Sequence, residues 1–312
     1  MQSLILSLET ITPIFLMMLL GYFLKSIKLV TKDVFDGINK MIFKVFLPIL
    51  LFNNIYTTDS LKVFDGKLVL YLTISVLVIF ALGLGAVFII TKDNSRRGVI
   101  WQSFFRSNFA ILGVPIVNYL CPGGSNGLVS LMVAIVVPLF NILAVIALEF
   151  FNGGHINFKK IIIGIIKNPL IISCIIGLSF LLLDFTLPAI LEKTVSDVSK
   201  VASPLAIVVL GASFTFKSIK GYIKENIIVL ISRLVIVPLI VLSVSAAIGF
   251  RDEAFACLLV VFAGPIAVSS FSMAQQMGGD ENLASQVVVL TSVFCIPTLF
   301  AWIYIFSSLG II

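Results

Sequence analysis

Long apolar runs alternate with short polar stretches from one end of this sequence to the other. A hydrocarbon core about 30 Å thick needs roughly 20 apolar residues in a helix that rises about 1.5 Å per residue. Runs of this length recur along the chain and predict an all-α integral membrane protein with ten spanning helices. The predicted spans are residues 5–24, 36–56, 68–91, 98–120, 128–150, 161–183, 198–216, 225–248, 254–277 and 285–308.

The composition agrees with this pattern and excludes a soluble fold. Of the 312 residues, 60% are hydrophobic and 12% are charged, whereas about one quarter of the residues in a soluble domain are charged. A net charge of +6 would point to nucleic acid in a soluble protein, but the basic residues here lie in short connections between apolar runs. Membrane orientation explains them, and no nucleic-acid partner is predicted.

The distribution of the basic residues predicts the orientation. The odd-numbered connections between the ten spans hold twelve Lys and Arg residues, and the even-numbered ones hold five. Cytoplasmic connections carry the excess of positive charge in membrane proteins. The count therefore places the odd-numbered connections in the cytoplasm and both termini outside the cell.

Residues with catalytic or metal-binding potential are scarce. The four cysteines lie in or beside apolar runs without a CxxC pair, and the single histidine, His155, lies in a connection. Neither a metal site nor a disulfide framework is predicted, and no cofactor is expected. The chain has no HExxH or GxSxG motif and no paired carboxylates within the spans. A membrane-embedded enzyme is therefore disfavoured, and no catalytic residues are assigned.

The sequence contains a weak internal repeat. Because five helices per half is an odd number, the second half would enter the membrane in the opposite orientation, as in many carriers. The predicted halves are residues 1–154 and 155–312. Three pairs of residues share a separation of 156 positions: Pro13 and Pro169, Gly21 and Gly177, Pro48 and Pro204.

Two spans carry a glycine and a proline where the apolar run is longest. We expect helix 4 to break near Gly113, before Pro115, and helix 9 to break at Pro265, because proline removes a backbone hydrogen bond and clashes with the preceding turn. Half-helices starting near these prolines would direct amide donors toward a cavity that suits a carboxylate. Ser269 and Ser270 follow the second break. The alternative is that the prolines only kink packed helices.

Two asparagines lie deep within predicted spans. Asn108 in helix 4 and Asn141 in helix 5 can donate hydrogen bonds to a carboxylate without the full penalty of a buried charge. The alternative is hydrogen bonding between helices.

Charged residues also lie within or beside these spans. Arg106 lies in the same stretch as Asn108 and could bind an anion or form a structural ion pair with Glu149. Arg233 in helix 8 could bind an anion or pair with Asp280 or Glu281.

Seven motifs occur in order along the chain: LPILLFNNIY, SNFAILGVP, PLFNILAVIALEF, KNPLIISCIIGL, SPLAIVVLGASF, RLVIVP, and AGP followed by QQMGGDENLAS. Together they resemble the auxin efflux carrier family, which includes bacterial malate and malonate permeases. The resemblance covers essentially the whole chain.

The resemblance implies two inverted five-helix repeats in which broken helices 4 and 9 cross. It implies a scaffold of helices 1, 2, 6 and 7 (residues 5–56 and 161–216) and a transport domain of helices 3–5 and 8–10 (residues 68–150 and 225–308). It further implies elevator-like motion and a homodimer. Asn108 and Asn141 match asparagines near the family's substrate carboxylate, and Pro115 and Pro265 match its crossover prolines. The long cytoplasmic insert of plant members is missing here.

These observations predict a secondary carrier of a small organic anion, a mono- or dicarboxylate, in the cell membrane. A channel or a non-transporting membrane subunit is the alternative. The sequence does not identify the coupling ion, proton or sodium, or the direction of transport.

Overall fold

The computed structural model describes residues 2–58, 65–122, 126–152 and 158–312, and this part of the chain contains helices and no strands. The helices are α1 (Gln2–Ser26), α2 (Lys32–Met41), α3 (Leu47–Tyr56), α4 (Gly66–Ile90), α5 (Asn94–Phe105), α6 (Phe109–Leu120), α7 (Asn126–Phe151), α8 (Phe158–Lys167), α9 (Pro169–Leu182), α10 (Ala189–Ser213), α11 (Ile223–Ile231), α12 (Val237–Ile248), α13 (Asp252–Ala263), α14 (Ser269–Gln276) and α15 (Glu281–Ser308). A 3-10 helix covers Phe216–Gly221.

All ten spans predicted from the sequence overlap helical structure. In the described part of the chain, five helical stretches are long and apolar enough to cross a membrane: Gly66–Ile90, Gly127–Phe151, Ala189–Ser213, Ile223–Ile248 and Glu281–Ser308. Other predicted spans correspond to shorter helices that follow one another directly. The predicted boundary between the two halves, 154/155, lies outside the described residues.

Two helical stretches continue through a π-helical turn just before a proline. The turn Ile42–Phe46 joins α2 to α3, and Ser232–Ile236 joins α11 to α12. Pro48 and Pro238 then occupy the first turn of the following helix, where a missing backbone N–H is tolerated. A π turn shifts the hydrogen-bond register by one residue, so both stretches pass their proline without a break.

Three other predicted spans are broken. The ninth predicted span breaks at residues 264–268, which include the predicted Pro265. The fourth predicted span breaks at residues 106–108 and not near Gly113. Pro115 lies inside α6, with its side chain on the exposed face of that helix. A break that the sequence analysis did not predict separates α8 from α9, where the Asn168 side chain accepts a hydrogen bond from the Leu170 amide and caps the new helix.

Glycines allow four helices to pack at very short distance. α1 packs on α10, and α3 packs on α9. A Cβ at Gly21 would lie 1.8 Å from the carbonyl oxygen of Val208, and one at Gly211 would lie 2.0 Å from that of Met18. The two backbones therefore touch at positions that no larger residue can occupy. Together with α2 and α8, these helices form what we call the first group, α1–α3 and α8–α10.

The remaining helices, α4–α7 and α11–α15, form the second group. α5 packs on α4 and α7, and α13 packs on α6 and α12. The most apolar part of α7 is 72% buried, whereas that of α4 is 22% buried. α7 is therefore central and α4 is peripheral. Large apolar side chains such as Leu82 and Ile89 are exposed on α4, as expected of a helix that faces lipid.

Candidate functional site

Two broken stretches of the second group cross each other through their backbones. Residues 106–108 connect α5 to α6, and residues 264–268 connect α13 to α14. The amide of Asn108 donates a hydrogen bond of 2.9 Å to the carbonyl of Pro265. Gly264 adopts an extended conformation, and a Cβ there would lie 2.5 Å from the carbonyl oxygen of Val260. The crossing thus depends on irregular backbone that the two linkers satisfy for each other.

A cavity of about 50 Å³ lies beside this crossing, between the two groups of helices. Because one water molecule needs roughly 10–15 Å³ of such space, the cavity has room for only a few small groups in this conformation. The second group contributes the polar wall, which includes Arg106, Ser107, Asn108, Asn141 and Ser269. The first group contributes Leu47, Leu50, Leu51, Leu170, Ser203 and Ala206.

Two helix N-termini face this cavity. Asn108, Ala110 and Ile111, at the start of α6, line it, and so does Ser269, the first residue of α14. The first amide groups of a helix lack partners within the helix and carry a partial positive charge. Such an arrangement has a positive electrostatic potential. The predicted start of the half-helix near Pro115 is wrong, because α6 begins at Phe109.

Arg106 brings a full positive charge to the cavity. Its side chain is buried, and Nη2 donates hydrogen bonds of 2.8 Å to Oδ1 of Asn141 and to Oγ of Ser269. Nη1 contacts Oε1 of Gln102 at 3.4 Å and the sulfur of Met273. All four partners are uncharged. Among the side chains that the structure describes, no carboxylate forms an ion pair with Arg106.

The ion pair between Arg106 and Glu149 proposed from the sequence is not formed. Asn141 and Glu149 lie on the same helix, α7, eight residues apart, which is about 12 Å along the axis. Arg106 contacts Asn141 and therefore lies two turns away from Glu149.

Asn141 positions this cation. Its Oδ1 accepts from Arg106, while its Nδ2 donates to the carbonyl of Val137 at 2.9 Å. The opposite orientation of the amide would place its NH₂ against the guanidinium and its oxygen against a carbonyl, so the contacts define the orientation. One of its two amide hydrogens is therefore used within α7.

Arg233 plays a different part from the one predicted. It is fully buried and donates to the carbonyls of Val261 at 2.7 Å, Gly264 at 3.1 Å and Phe104 at 3.4 Å. These carbonyls belong to the last turns of α13 and α5, where a cation offsets the negative end of the helix dipole. The predicted pairing with Asp280 or Glu281 is wrong, because Arg233 holds the C-terminal ends of the two broken helices together.

The predicted site residues separate into two sets. Asn108, Asn141, Ser269 and Arg106 line the cavity. The other predicted residues do not line it. Gly113 packs under the ring of Phe109, and Pro115 is exposed. Pro265 accepts the backbone hydrogen bond at the crossing, and Ser270 is buried beside Gln102.

The sequence analysis missed two serines of the cavity wall. Ser107 is buried, and its Oγ has no hydrogen-bond partner among the residues that the structure describes. Ser203 comes from α10 on the opposite wall. Ser107 lies between two candidates that the sequence did indicate, so its position beside them was the available signal.

A polar network joins the two groups on the side where α1 ends. Asn39 of α2 donates to Oε1 of Gln275 and accepts from Oγ of Ser272 at 2.7 Å. Gln275 Nε2 donates to Asp36 at 2.9 Å and to Glu281 at 2.8 Å. α14 contributes Ser269 to the cavity and Gln275 to this network, so the network holds the helix that carries Ser269 against α2.

Lys32 completes this network at the surface. Its Nζ lies 2.9 Å from Oε1 of Glu281. The hydrogen bond to Glu281 raises the pKa of Lys32 above its usual value of 10.5, so the lysine stays charged at any physiological pH.

Comparisons with known proteins agree with this architecture. A family model described as "Membrane transport protein" matches residues 6–156 and 155–303. An uncharacterized transporter of Methanocaldococcus jannaschii is 23% identical over 305 residues, covering 95% of this chain and 97% of the relative. An uncharacterized transporter of Methanothermobacter thermautotrophicus is 24% identical over 302 residues, with coverages of 95% and 97%. A putative malonate transporter of Rhizobium meliloti is 21% identical over 306 residues, with coverages of 96% and 95%.

Proposed function

This chain belongs to the membrane transport protein family, as the resemblance to the auxin efflux carriers predicted, and from that premise we propose that it is an elevator-type secondary carrier of a small organic anion. The transported solute is a mono- or dicarboxylate, and the cell membrane is the site of action. The relative from Rhizobium meliloti, named a putative malonate transporter, supports a small carboxylate as the substrate.

The buried cation Arg106 is the observation that carries this proposal. Removing a guanidinium from water is unfavourable by several kcal/mol unless an opposite charge compensates it. Its contacts within the protein are neutral, whereas two helix N-termini add further positive potential to the same cavity. A carboxylate in the cavity would accept a charge-assisted hydrogen bond from Arg106 and would offset its charge.

The position of the cavity supports a carrier of the alternating-access type. One wall belongs to the first group of helices, the proposed scaffold, and the other belongs to the second group, the proposed transport domain. A displacement of the second group would carry Arg106 and both helix N-termini with it, because all of them belong to that group. The network from Asn39 to Gln275 would have to break during such a displacement.

Contacts of two glycines support the inverted repeat. Gly21 and Gly177 hold corresponding positions in the two halves. Gly21 of α1 packs on α10, and Gly177 of α9 packs on Ile55 of α3. The first predicted span (α1) therefore packs on the seventh (α10) in the way that the sixth (α9) packs on the second (α3), as expected if the two halves are equivalent. The family match likewise divides into two segments that meet near residue 155.

The proposed topology has ten crossings, with both termini outside the cell. Lys92, between the third and fourth spans, and Lys193, in the connection before the seventh, are both exposed. In a cysteine-free background, an impermeant thiol reagent applied outside intact cells should label Lys193→Cys and should not label Lys92→Cys. The reverse pattern would contradict the orientation.

Exchange in proteoliposomes tests the proposed function. Vesicles with purified protein and loaded with an unlabelled short carboxylate should accumulate the same labelled carboxylate against its gradient, because a carrier exchanges one molecule for another. Saturable flux without such counterflow would indicate a channel. No flux of any mono- or dicarboxylate would indicate a non-transporting subunit.

The same vesicles test two further parts of the proposal. Repeating the assay with a proton gradient, a sodium gradient or a membrane potential identifies the driving force. Cross-linking of the protein in these vesicles tests whether it is a homodimer.

A further inference from the structure

Among the residues that the structure describes, one ionisable group lines the cavity. This group is Arg106, while Ser107, Asn108, Asn141 and Ser269 beside it are neutral. On the opposite wall, the described lining has one polar side chain, that of Ser203, and the surrounding residues are apolar: Leu47, Leu50, Leu51, Leu170 and Ala206. One end of a bound solute would therefore meet a cation and hydrogen-bond donors, and the other end would meet leucine side chains and one hydroxyl.

Charged and titratable groups on the neighbouring elements do not add a second cation. Arg233 is the other buried guanidinium near the crossing, and its donors point to the carbonyls of Phe104, Val261 and Gly264. On α9, the titratable group nearest to Arg106 is the buried thiol of Cys174. The structure therefore provides compensation for one negative charge in the cavity.

We propose that this carrier binds its substrate as a monoanion, which is either a monocarboxylate or a dicarboxylate with one carboxyl group protonated. This inference rests on the proposed function and defines its substrate class. The ionised carboxylate accepts from Arg106 and from the amides at the start of α6. The second, protonated carboxyl group has a hydroxyl that donates to Ser203, whereas an ionised second carboxylate would face leucines without a compensating charge.

The inference has a consequence for proton coupling. A hydrogen dicarboxylate that binds on one side and dissociates on the other releases a dianion and one proton. The substrate itself carries this proton, and no protein carboxylate needs to be protonated. Monocarboxylates, in contrast, cross without a proton. Net uptake of a dicarboxylate should therefore acidify the vesicle lumen, and net uptake of a monocarboxylate should leave the luminal pH unchanged.

Binding measurements at several pH values test the charge of the bound species. The probes are malonate, succinate and glutarate, each compared with its monomethyl ester, which has about the same shape and is always a monoanion at neutral pH. Calorimetry with the purified protein between pH 5 and pH 8 should give a constant affinity for the esters. The affinity for the dicarboxylates should fall about tenfold for each pH unit above their second pKa, because the singly protonated fraction falls by that factor.

Two variants make the test specific. Ser203→Lys adds a second cation to the opposite wall, which allows the dianion to bind, so the fall in dicarboxylate affinity above the second pKa should disappear. Cys174→Ala removes the neighbouring thiol and should leave the pH dependence unchanged. Equal dicarboxylate affinity at pH 5 and pH 8 in the wild-type protein would contradict the inference and leave the proposed function standing. If no dicarboxylate and no ester bound at any pH, the proposed function would itself be contradicted, and this inference with it.

Discussion

Two backbone crossings in the described part of this molecule are built in opposite ways. Where α1 meets α10, both helices are continuous, and Gly21 and Gly211 remove the side chains that would separate them. Where α5–α6 meets α13–α14, the helices break, and the extended linkers touch through the bond from Asn108 to Pro265. The first crossing keeps its helices unbroken. The second leaves helix ends that require partners.

This difference explains why one crossing is structural and the other is a candidate binding site. Small residues at a helix interface gain van der Waals contact and keep every backbone bond within its helix. Broken helices expose amide and carbonyl groups that must be satisfied inside the protein. Arg233 satisfies the carbonyl ends, and the amide ends face the cavity beside Arg106. The positive side of the crossing is thus the part directed toward a solute.

The largest effect on stability is expected from Arg233, because the carbonyl ends of the crossing depend on it. Arg233→Met would leave three buried carbonyls without their donor, and a charge-assisted bond contributes about 1.5–3 kcal/mol. We expect a loss of roughly 4 kcal/mol in the free energy of unfolding, measured by denaturant titration in detergent. Arg251→Met, at an exposed arginine, serves as the control. Equal stability of the two variants would show that Arg233 does not hold the crossing together.

A smaller loss is expected at the glycine crossing. In Gly211→Ala the new methyl group would lie about 2.0 Å from the carbonyl oxygen of Met18, so the helices must separate. Overpacking of this kind destabilises by about 1–3 kcal/mol, visible as a lower unfolding temperature. The matched control is Gly85→Ala in α4, where a Cβ meets nothing within 4 Å and the better helix propensity of alanine should raise stability slightly. A Gly211→Ala protein as stable as this control would contradict the backbone contact.

At the binding side of the crossing, the expected effect is on affinity and not on folding. Asn108→Ala should weaken anion binding roughly ten- to a hundredfold, the equivalent of losing a bond to a charged group that contributes about 1.5–3 kcal/mol. Asn108→Asp should abolish binding at neutral pH, because it places a negative charge where the anion binds. The control is Asn118→Ala, at an exposed position of α6, the helix that follows Asn108. This variant should bind the anion as the wild type does. Calorimetry measures all three, and unchanged affinity in both Asn108 variants would show that Asn108 does not contact the anion.

The smallest effect is expected from the exposed cation Lys32. Its partner Glu281 is also partly exposed, and surface ion pairs contribute about 0–1 kcal/mol. Because the pair raises the pKa of Lys32, its stabilisation is fully present below pH 10.5 and is lost only as the pH rises through the raised value. Lys32→Gln should therefore lower the unfolding temperature only slightly, and equally at pH 6 and pH 9. A large or pH-dependent loss in that interval would contradict this assignment.

Local pattern predicted much of the fold. Apolar runs located the helices, and the pair Gly264–Pro265 located the break in helix 9. The break between α8 and α9 was equally readable, because Asn168 is a good N-cap and proline is favoured at the first helical position. The glycine crossing was not readable, since the sequence does not show which glycines face another helix.

The candidate site was harder to predict because tertiary contacts form it. Pro115 drew attention to the middle of α6 instead of its start: a helix tolerates a proline on its outer face, and the bond from Asn108 to Pro265 is what fixes the break. The partners of Arg106 lie on α7 and α14, distant in sequence. The sequence could therefore name the polar residues of the cavity but not their pairing. The ion pairs that it offered as alternatives for Arg106 and Arg233 are not formed, and both side chains make neutral contacts instead.

The gain in stability of the folded protein when an anion binds tests most directly whether Arg106 makes the cavity an anion site. The ligand is the carboxylate that the wild-type protein exchanges in counterflow, added to purified protein at 100 times its dissociation constant. The wild type and Arg251→Gln should each gain about 2.7 kcal/mol of apparent stability. Arg106→Lys should gain less, and Arg106→Gln, folded without ligand, should gain nothing. A folded Arg106→Gln protein that the anion stabilises as much as the wild type would contradict the account.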